Sequence, residues 1–340
     1  MDFSANPCER GSTEAANEWN HVYTQHKGSL YQDRHWLWAV FPELFPLPPH
    51  YKGDLDTETF ACHCGKATAI SSALVNEVNM HGLALRACCC PVCEYRVVYQ
   101  SIYVYAPGRP TRGEEVPFPP RTGHVWVLDI GCGTGSLAFP LLEKNSQVRL
   151  LSLDYSEEAI KVLKLRERYN EEVIVGEICD ITSLQNLSAV CAQFATRFTP
   201  SPVFYYATMV FVLSALKDSN AVKTAISNVL SVLTDNGVLL IYDYAEGDYR
   251  EGKFSAREQS SLDRSPMDRK NHYLGTTYLR GEGTRATFFY LEALKELCSE
   301  LGVVHEALVR TKEEYNRKTQ ERWVKKYLLI KVRKSSHEQK

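Results

Sequence analysis

Gly131, Gly133 and Gly135 stand at alternate positions in LDIGCGTGS, between an apolar run that reads as a strand and one that reads as a helix. Glycine at such a junction permits a tight turn and lets a ligand approach the backbone without meeting a Cβ. A nicotinamide-binding turn is the natural rival, but in G-x-G-x-x-G the third glycine would fall on Ser136. Asp154 ends the next apolar run, at the spacing where a carboxylate grips ribose hydroxyls, and Asp180 ends the third, placed to flank an adenine amino group. Each aspartate taken singly reads as well as a loop or helix cap. Together with the glycine turn, the two acids suit S-adenosylmethionine, a cationic adenosine ligand without phosphate.

The elements around these residues alternate. VWVLDIG, VRLLSLD, VIVGEICD, VFYYATMV and GVLLIYDY read as strands, with SLAFPLLEK, SEEAIKVLKLRERYN and AVKTAISNVLSVL as helices between them. VHEALVR and WVKKYLLIKVR close the chain as an antiparallel hairpin. The pattern predicts an α/β fold: a Rossmann-like seven-strand sheet with helices on both faces. Residues 246–290 read as too polar for core, crossing the top of the sheet.

Three divisions follow: an aromatic arm over 1–60, a Cys-rich insert with a Pro/Gly linker over 61–123, and the doubly wound domain over 124–334. The net charge of −2 argues against a uniformly basic nucleic-acid binder, although charge can be segregated onto one face. The first twenty residues lack the apolar segment of a secretory signal, and no apolar run is long enough to span a membrane. A soluble protein of the cytoplasm, with the nucleus also open to it, is the expectation, and its eleven cysteines then read as thiols or metal ligands.

The arm carries Trp19, Tyr23, QDRHW at 32–36 and FPEL at 41–44. With LDIGCGTG, LDYSEEAI, CDIT, VFVLSAL, YDY and LRGEGTRATFF, it resembles the tRNA N3-cytosine methyltransferases, over nearly the whole chain except about 50–122. The resemblance implies methyl transfer from S-adenosylmethionine to N3 of cytosine in the anticodon loop of tRNA, with the arm folded over the cofactor. It implies that Trp19, Tyr23, Gly131, Asp154, Asp180 and Val210 contact the cofactor, and that Arg34 and His35 shape the substrate entrance. An accessory tRNA-binding protein is a possible partner, since some relatives use one. A methyltransferase for another RNA base or a protein side chain, or a non-catalytic tRNA-binding subunit, are the alternatives.

The chemistry fits. N3 of neutral cytosine has an in-plane lone pair, so attack on a methyl group needs positioning and electrostatics rather than a general base. Asp243 is the candidate carboxylate for the charge developing at N3, with Tyr244 for stacking; the plainer role for Asp243 is to cap the strand–loop junction. Arg280, Arg285 and the stretch with Arg322, Lys325, Lys326, Lys331, Arg333 and Lys334 are candidates for RNA contact, each alone more often a solvated cation. Two features depart from the family: Thr134 and Ser136 in the glycine turn, and Tyr242 where an arginine is usual. In the insert, Cys62, Cys64, Cys90 and Cys93 have spacings that would hold Zn2+ in a closed thiolate site, with an unliganded loop the equal alternative.

Overall fold

The computed structural model describes residues 14–26, 31–37, 40–41, 44, 124–235, 237–260, 273–316 and 320–333, with five strands between 59 and 105. The arm begins as helix α1 (Glu14–His26). At the junction of arm and insert, β1 (Thr59–Ala61) pairs with β2 (Ala67–Ala69), and within the insert β3 (Asn76–Met80), β4 (Leu83–Cys89) and β5 (Arg96–Tyr105) form an antiparallel meander. Cys62, Cys64, Cys90 and Cys93 lie outside the described residues.

The strands of the main sheet are β6 (Val125–Ile130), β7 (Val148–Asp154), β8 (Ile174–Ile178), β9 (Phe204–Val210), β10 (Val238–Tyr244), β13 (Val304–Asn316) and β14 (Glu321–Arg333). Their spatial order is β13-β14-β10-β9-β6-β7-β8. The five from β6 to β10 run parallel, and β14 is antiparallel to β10 and β13, as the alternation and closing hairpin predict. The chain builds outward from β6 to β8, then returns to β9 on the other side of β6. The carboxyl ends of β6 and β9 therefore flank a topological switch point, where open α/β sheets take their ligands.

Helices α2 (Ala138–Lys144), α3 (Glu157–Leu165) and α5 (Ser219–Val232) match the sequence reading; α4 (Leu184–Ala195) and α7 (Leu291–Glu300) add two more. Apolar clusters lie on each side of the sheet: Val127 and Leu128, adjacent in β6, fall in different ones. Leu37, Val40, Phe41 and Leu44 of the arm are buried with Val127, Leu150 and Leu240, and Asn145 Nδ2 donates to the Leu44 carbonyl at 2.8 Å. At about 1.5–3 kcal/mol per buried large apolar side chain, this part of the arm belongs to the core.

Two expectations are corrected. Residues 246–290 are not all surface: after α6 (Tyr249–Ser260) comes a hairpin, β11 (Gly275–Leu279) with β12 (Arg285–Phe289), whose Phe288 and Phe289 are fully buried. Lys331 is no part of a basic surface, being 3% exposed. Strand β14 is paired on both edges and covered on both faces here, so alternation does not bring every second side chain to water.

Candidate active site

The three glycines take φ values of 60°, 53° and 85°, the left-handed region that a Cβ disfavours. A Cβ at Gly133 would stand 2.8 Å from the Tyr23 hydroxyl oxygen. The Gly133 N–H donates to Asp154 Oδ2 at 2.8 Å and the Ser156 N–H to Asp154 Oδ1 at 2.9 Å. Burial pushes the Asp154 carboxyl up to about 6, against those hydrogen bonds, which lower it.

Asp129, near the end of β6, is the orphan of the site. Its Oδ1 accepts from Thr208 Oγ1 at 2.9 Å, whereas its buried Oδ2 has no hydrogen-bond partner among the described residues. Burial raises this carboxyl to about 7, with the Thr208 bond and the Arg34 cation acting the other way. A buried acceptor left open beside a turn stripped of Cβ atoms suits a ligand that brings a cationic donor. The residues present therefore fit an amino-acid-bearing adenosine cation.

Helix α1 lies against α3. Asn20 Oδ1 accepts from Ser156 Oγ at 2.7 Å and from the Glu158 N–H at 3.3 Å, while Ser156 Oγ caps α3 by accepting from the Ala159 N–H at 3.2 Å. Trp19, Val22 and Tyr23 bury against Ala159, flanked by Tyr31 and Tyr155. Arg34 crosses the switch point. Its N–H donates to the Ser136 carbonyl at 2.8 Å, Nη1 donates to the Val210 carbonyl at 3.2 Å, and its guanidinium lies 5.0 Å from the Phe211 ring centroid.

At the carboxyl ends of β9 and β10 stands a wall of aromatic rings. Phe211 has φ 61°, an outlying conformation for a bulky residue, held by its N–H donating to the Tyr242 carbonyl at 2.8 Å. Its ring meets Tyr244 at 4.8 Å and Tyr242 at 5.6 Å, and Tyr242 stacks on Tyr327 at 4.9 Å. Trp36, partly exposed, covers Tyr242 at 5.1 Å. Half-buried Tyr244 carries Arg250 at 4.5 Å and Arg280 at 6.0 Å over its ring.

Asp243 is 1% exposed, and both its oxygens are engaged: Oδ2 accepts from the Ser214 N–H at 3.0 Å and Oδ1 from the Tyr244 N–H at 2.8 Å. Burial raises its carboxyl to about 6. In this arrangement it fastens the turn after β9, a 3-10 turn at Leu213–Ala215, to the end of β10.

The remaining residues singled out in the sequence divide. Arg280 reaches the mouth of the site, 5.8 Å from the Trp19 ring, and Val210 is buried at the end of β9. Asp180 Oδ1 accepts from the Thr182 N–H at 2.9 Å and Oγ1 at 2.7 Å, a local turn at the end of β8. His35 is exposed. Arg285 is half-buried in β12, Lys325 pairs with Glu314, and the Lys326 N–H donates to Asp248 Oδ2 at 2.7 Å. Sequence reasoning missed Asp129, Phe211 and Arg250. Only Asp129 carried a local signal, an acid in an otherwise apolar strand two residues before Gly131.

The methyltransferase-domain family Methyltransf_12 matches residues 128–239. The tRNA N(3)-cytidine methyltransferase METTL2 of Mus musculus is 27% identical over 290 residues, which are 84% of this chain and 66% of that protein. The tRNA N(3)-methylcytidine methyltransferase trm141 of Schizosaccharomyces pombe is 29% identical over 52% of this chain and 63% of that protein; O-methyltransferase 3 of Dictyostelium discoideum is 29% identical over 52% and 36%. Among solved structures, a SAM-dependent methyltransferase from Methanosarcina mazei superposes with a TM-score of 0.44 at 19% identity, over 62% of this chain and 93% of that one. The chain spans about two thirds of the length of the mouse relative. Residues 128–239 thus match a methyltransferase domain within the doubly wound sheet, and over 84% of its length the chain is similar to the tRNA N(3)-cytidine methyltransferase METTL2 of the mouse.

Proposed function

We propose that this protein methylates N3 of an unpaired cytosine in the anticodon loop of tRNA, with S-adenosylmethionine as donor. One observation carries the reading. The open Oδ2 of Asp129, the glycine turn and the aromatic arm meet at one edge of the sheet, in a chain whose relatives over 84% of its length are named tRNA N(3)-cytidine methyltransferases.

The donor supplies an electrophilic methyl group. The left-handed turn of Gly131, Gly133 and Gly135 is placed to receive it, Asp154 is placed for ribose hydroxyls, and Asp129 offers an acceptor to an ammonium group. Trp19 and Tyr23 cover the cation with ring faces, which attract positive charge where a leucine would not. Tyr244, with Arg250 and Arg280 over its ring, is the stacking surface for the base. Asp243 holds that surface through the Tyr244 N–H and lends negative charge beneath it as N3 becomes cationic. N3 lies on the pairing edge, so the base must enter unpaired or flipped.

The low net charge supports an accessory tRNA-binding protein, and a cytoplasmic location belongs to the same proposal. So does Zn2+ on Cys62, Cys64, Cys90 and Cys93, for which elemental analysis of the purified protein is the test. A second reading, a tRNA-binding subunit without catalysis, is favoured by the engagement of both Asp243 oxygens.

Incubation with labelled S-adenosylmethionine and total cellular tRNA, followed by digestion and nucleoside mass analysis, separates these. N3-methylcytidine supports the main reading, and label in another nucleoside redirects it to a different base. No product even in cell extract leaves the non-catalytic subunit.

A further inference from the structure

We infer that one face of the β13–β14 ribbon is a track for the RNA strand flanking the target base; this rests on the RNA-methylation reading above. Strand β14 pairs with β10 only from Tyr327 to Arg333, but with β13 along its full length. Tyr327 is the partner of Tyr244, where β10 ends. The six rungs from Thr311↔Lys326 to Asn316↔Glu321 therefore project roughly 20 Å past the sheet edge that carries the candidate site, at about 3.4 Å per rung.

Alternate residues share a face, so Arg310, Lys312 and Glu314 of β13 stand with their cross-strand partners Tyr327, Lys325 and Trp323 of β14. Three features of this face are unexplained by strand pairing. Lys312 and Lys325 lie directly opposite each other, an arrangement that opposes pairing, and one carboxylate, Glu314, serves both at 2.8 and 2.6 Å. Arg310 is 9% exposed, yet its buried Nη1 has no hydrogen-bond partner among the described residues, and burial lowers its pKa. At the outer end Trp323 stacks on Tyr249 at 5.0 Å and 8°, with Lys253 Nζ 5.3 and 4.7 Å from the two rings.

Outward from the site, cations and rings thus interleave: Arg310 with Tyr327, then Lys312 and Lys325, then Trp323, Tyr249 and Lys253. Cations in excess of their acids call for an anion, and paired ring faces edged by an ammonium call for a π surface. Single-stranded nucleic acid supplies both along one backbone. An acidic polypeptide matches the charge alone.

The test is anisotropy titration of a labelled anticodon stem-loop RNA, at several salt concentrations, with the wild type, the Lys312→Ala/Lys325→Ala double variant, Trp323→Ala and Trp323→Phe. Calorimetric binding of S-adenosylmethionine to each variant reports intact folding and is expected to stay at the wild-type value. The double variant is expected to bind RNA more weakly, with the slope of log K against log salt reduced by about 0.7 for each phosphate no longer neutralised. Trp323→Ala is expected to weaken binding roughly fivefold or more, with Trp323→Phe restoring most of it.

Unchanged affinity and slope in the variants, alongside a wild type that binds and methylates RNA, overturn the track alone. A wild type that binds no RNA overturns the track and the methylation reading together. Polyglutamate binding to the wild type but not to the double variant, with RNA affinity equal in both proteins, assigns the face to an acidic protein and overturns it as an RNA track.

Discussion

Asp33 and Arg166 are joined by two parallel hydrogen bonds, Nη1 to Oδ1 at 2.9 Å and Nη2 to Oδ2 at 2.8 Å. Arg166 closes helix α3, and the same guanidinium donates to the Thr134 carbonyl at 3.3 Å and lies 4.3 Å from the Phe139 ring centroid. One side chain therefore couples the arm, the glycine turn and α2. The pair is about a third exposed, so it adds about 1 kcal/mol to stability, less in salt. Its larger effect is on where the arm sits.

Asp33→Ala is accordingly expected to weaken S-adenosylmethionine several-fold while lowering Tm by only a few degrees. Arg166→Ala is expected to do more of both, because it also frees Thr134 and Phe139. Calorimetry and a thermal melt on each variant check this; equal affinity in all three proteins would show that the arm does not govern the cofactor site.

Trp19 and Arg34 are expected to bear on different halves of the reaction. Trp19→Ala is expected to reduce cofactor affinity about tenfold. Arg34→Ala, which removes the guanidinium bond to the Val210 carbonyl while keeping the backbone N–H bond to Ser136, is expected to abolish most turnover with a smaller loss of cofactor affinity. The measurement is kcat against cofactor Kd for each. Matching losses in both quantities, together with matching loss of Tm, would reduce the arm to packing.

The glycines are separable by what a Cβ would strike. At Gly133 it meets the far end of Tyr23, which can turn aside, so Gly133→Ala is expected to fold and to bind cofactor poorly. At Gly135 it meets Phe139 at 2.5 Å and Leu163 at 2.6 Å, both in the core, at φ 85°. Gly135→Ala is expected to cost about 1–3 kcal/mol of stability, read in urea unfolding. A Gly135 variant as stable as wild type would contradict the packing described here.

Cofactor binding is expected to depend on pH through Asp129 at about 7 and Asp154 at about 6. Both are raised, so the folded protein holds protons that the unfolded chain, with carboxylates near 3.9, has released. The stability linked to them is present below about pH 4 and is lost as pH rises through 6 and 7. Binding of a cation has the opposite sign: it favours the ionised carboxylates, releases protons and tightens from about pH 5.5 to about 8, then levels off. Titration calorimetry in two buffers of different ionisation heat counts the protons, and Asp129→Asn is expected to remove the upper part of the dependence. Flat affinity across that range would rule out a buried acid at the cation.

Much of this was legible beforehand because it is local. Seven strands, the glycine turn and Asp154 follow from apolar runs of strand length punctuated by glycine and acids, and each signal lies within about ten residues. The engagement of Asp243 was not legible, since it depends on Ser214, 29 residues away, arriving at the end of the next strand. Nor was the left-handed Phe211: nothing in VFVLSAL marks it, and the Tyr242 carbonyl that holds it lies on the neighbouring strand.

By itself the sequence determined the alternation of elements, and with it a parallel sheet whose carboxyl edge receives a ligand at a turn without Cβ atoms. Tertiary structure decided the rest. It buried Lys331 and Phe288, left Asp129 Oδ2 without a donor among the described residues, and set the aromatic arm across the switch point. Backbone conformation is governed by neighbours in the chain, whereas burial, hydrogen-bond partnership and the pKa of a carboxylate are governed by neighbours in space.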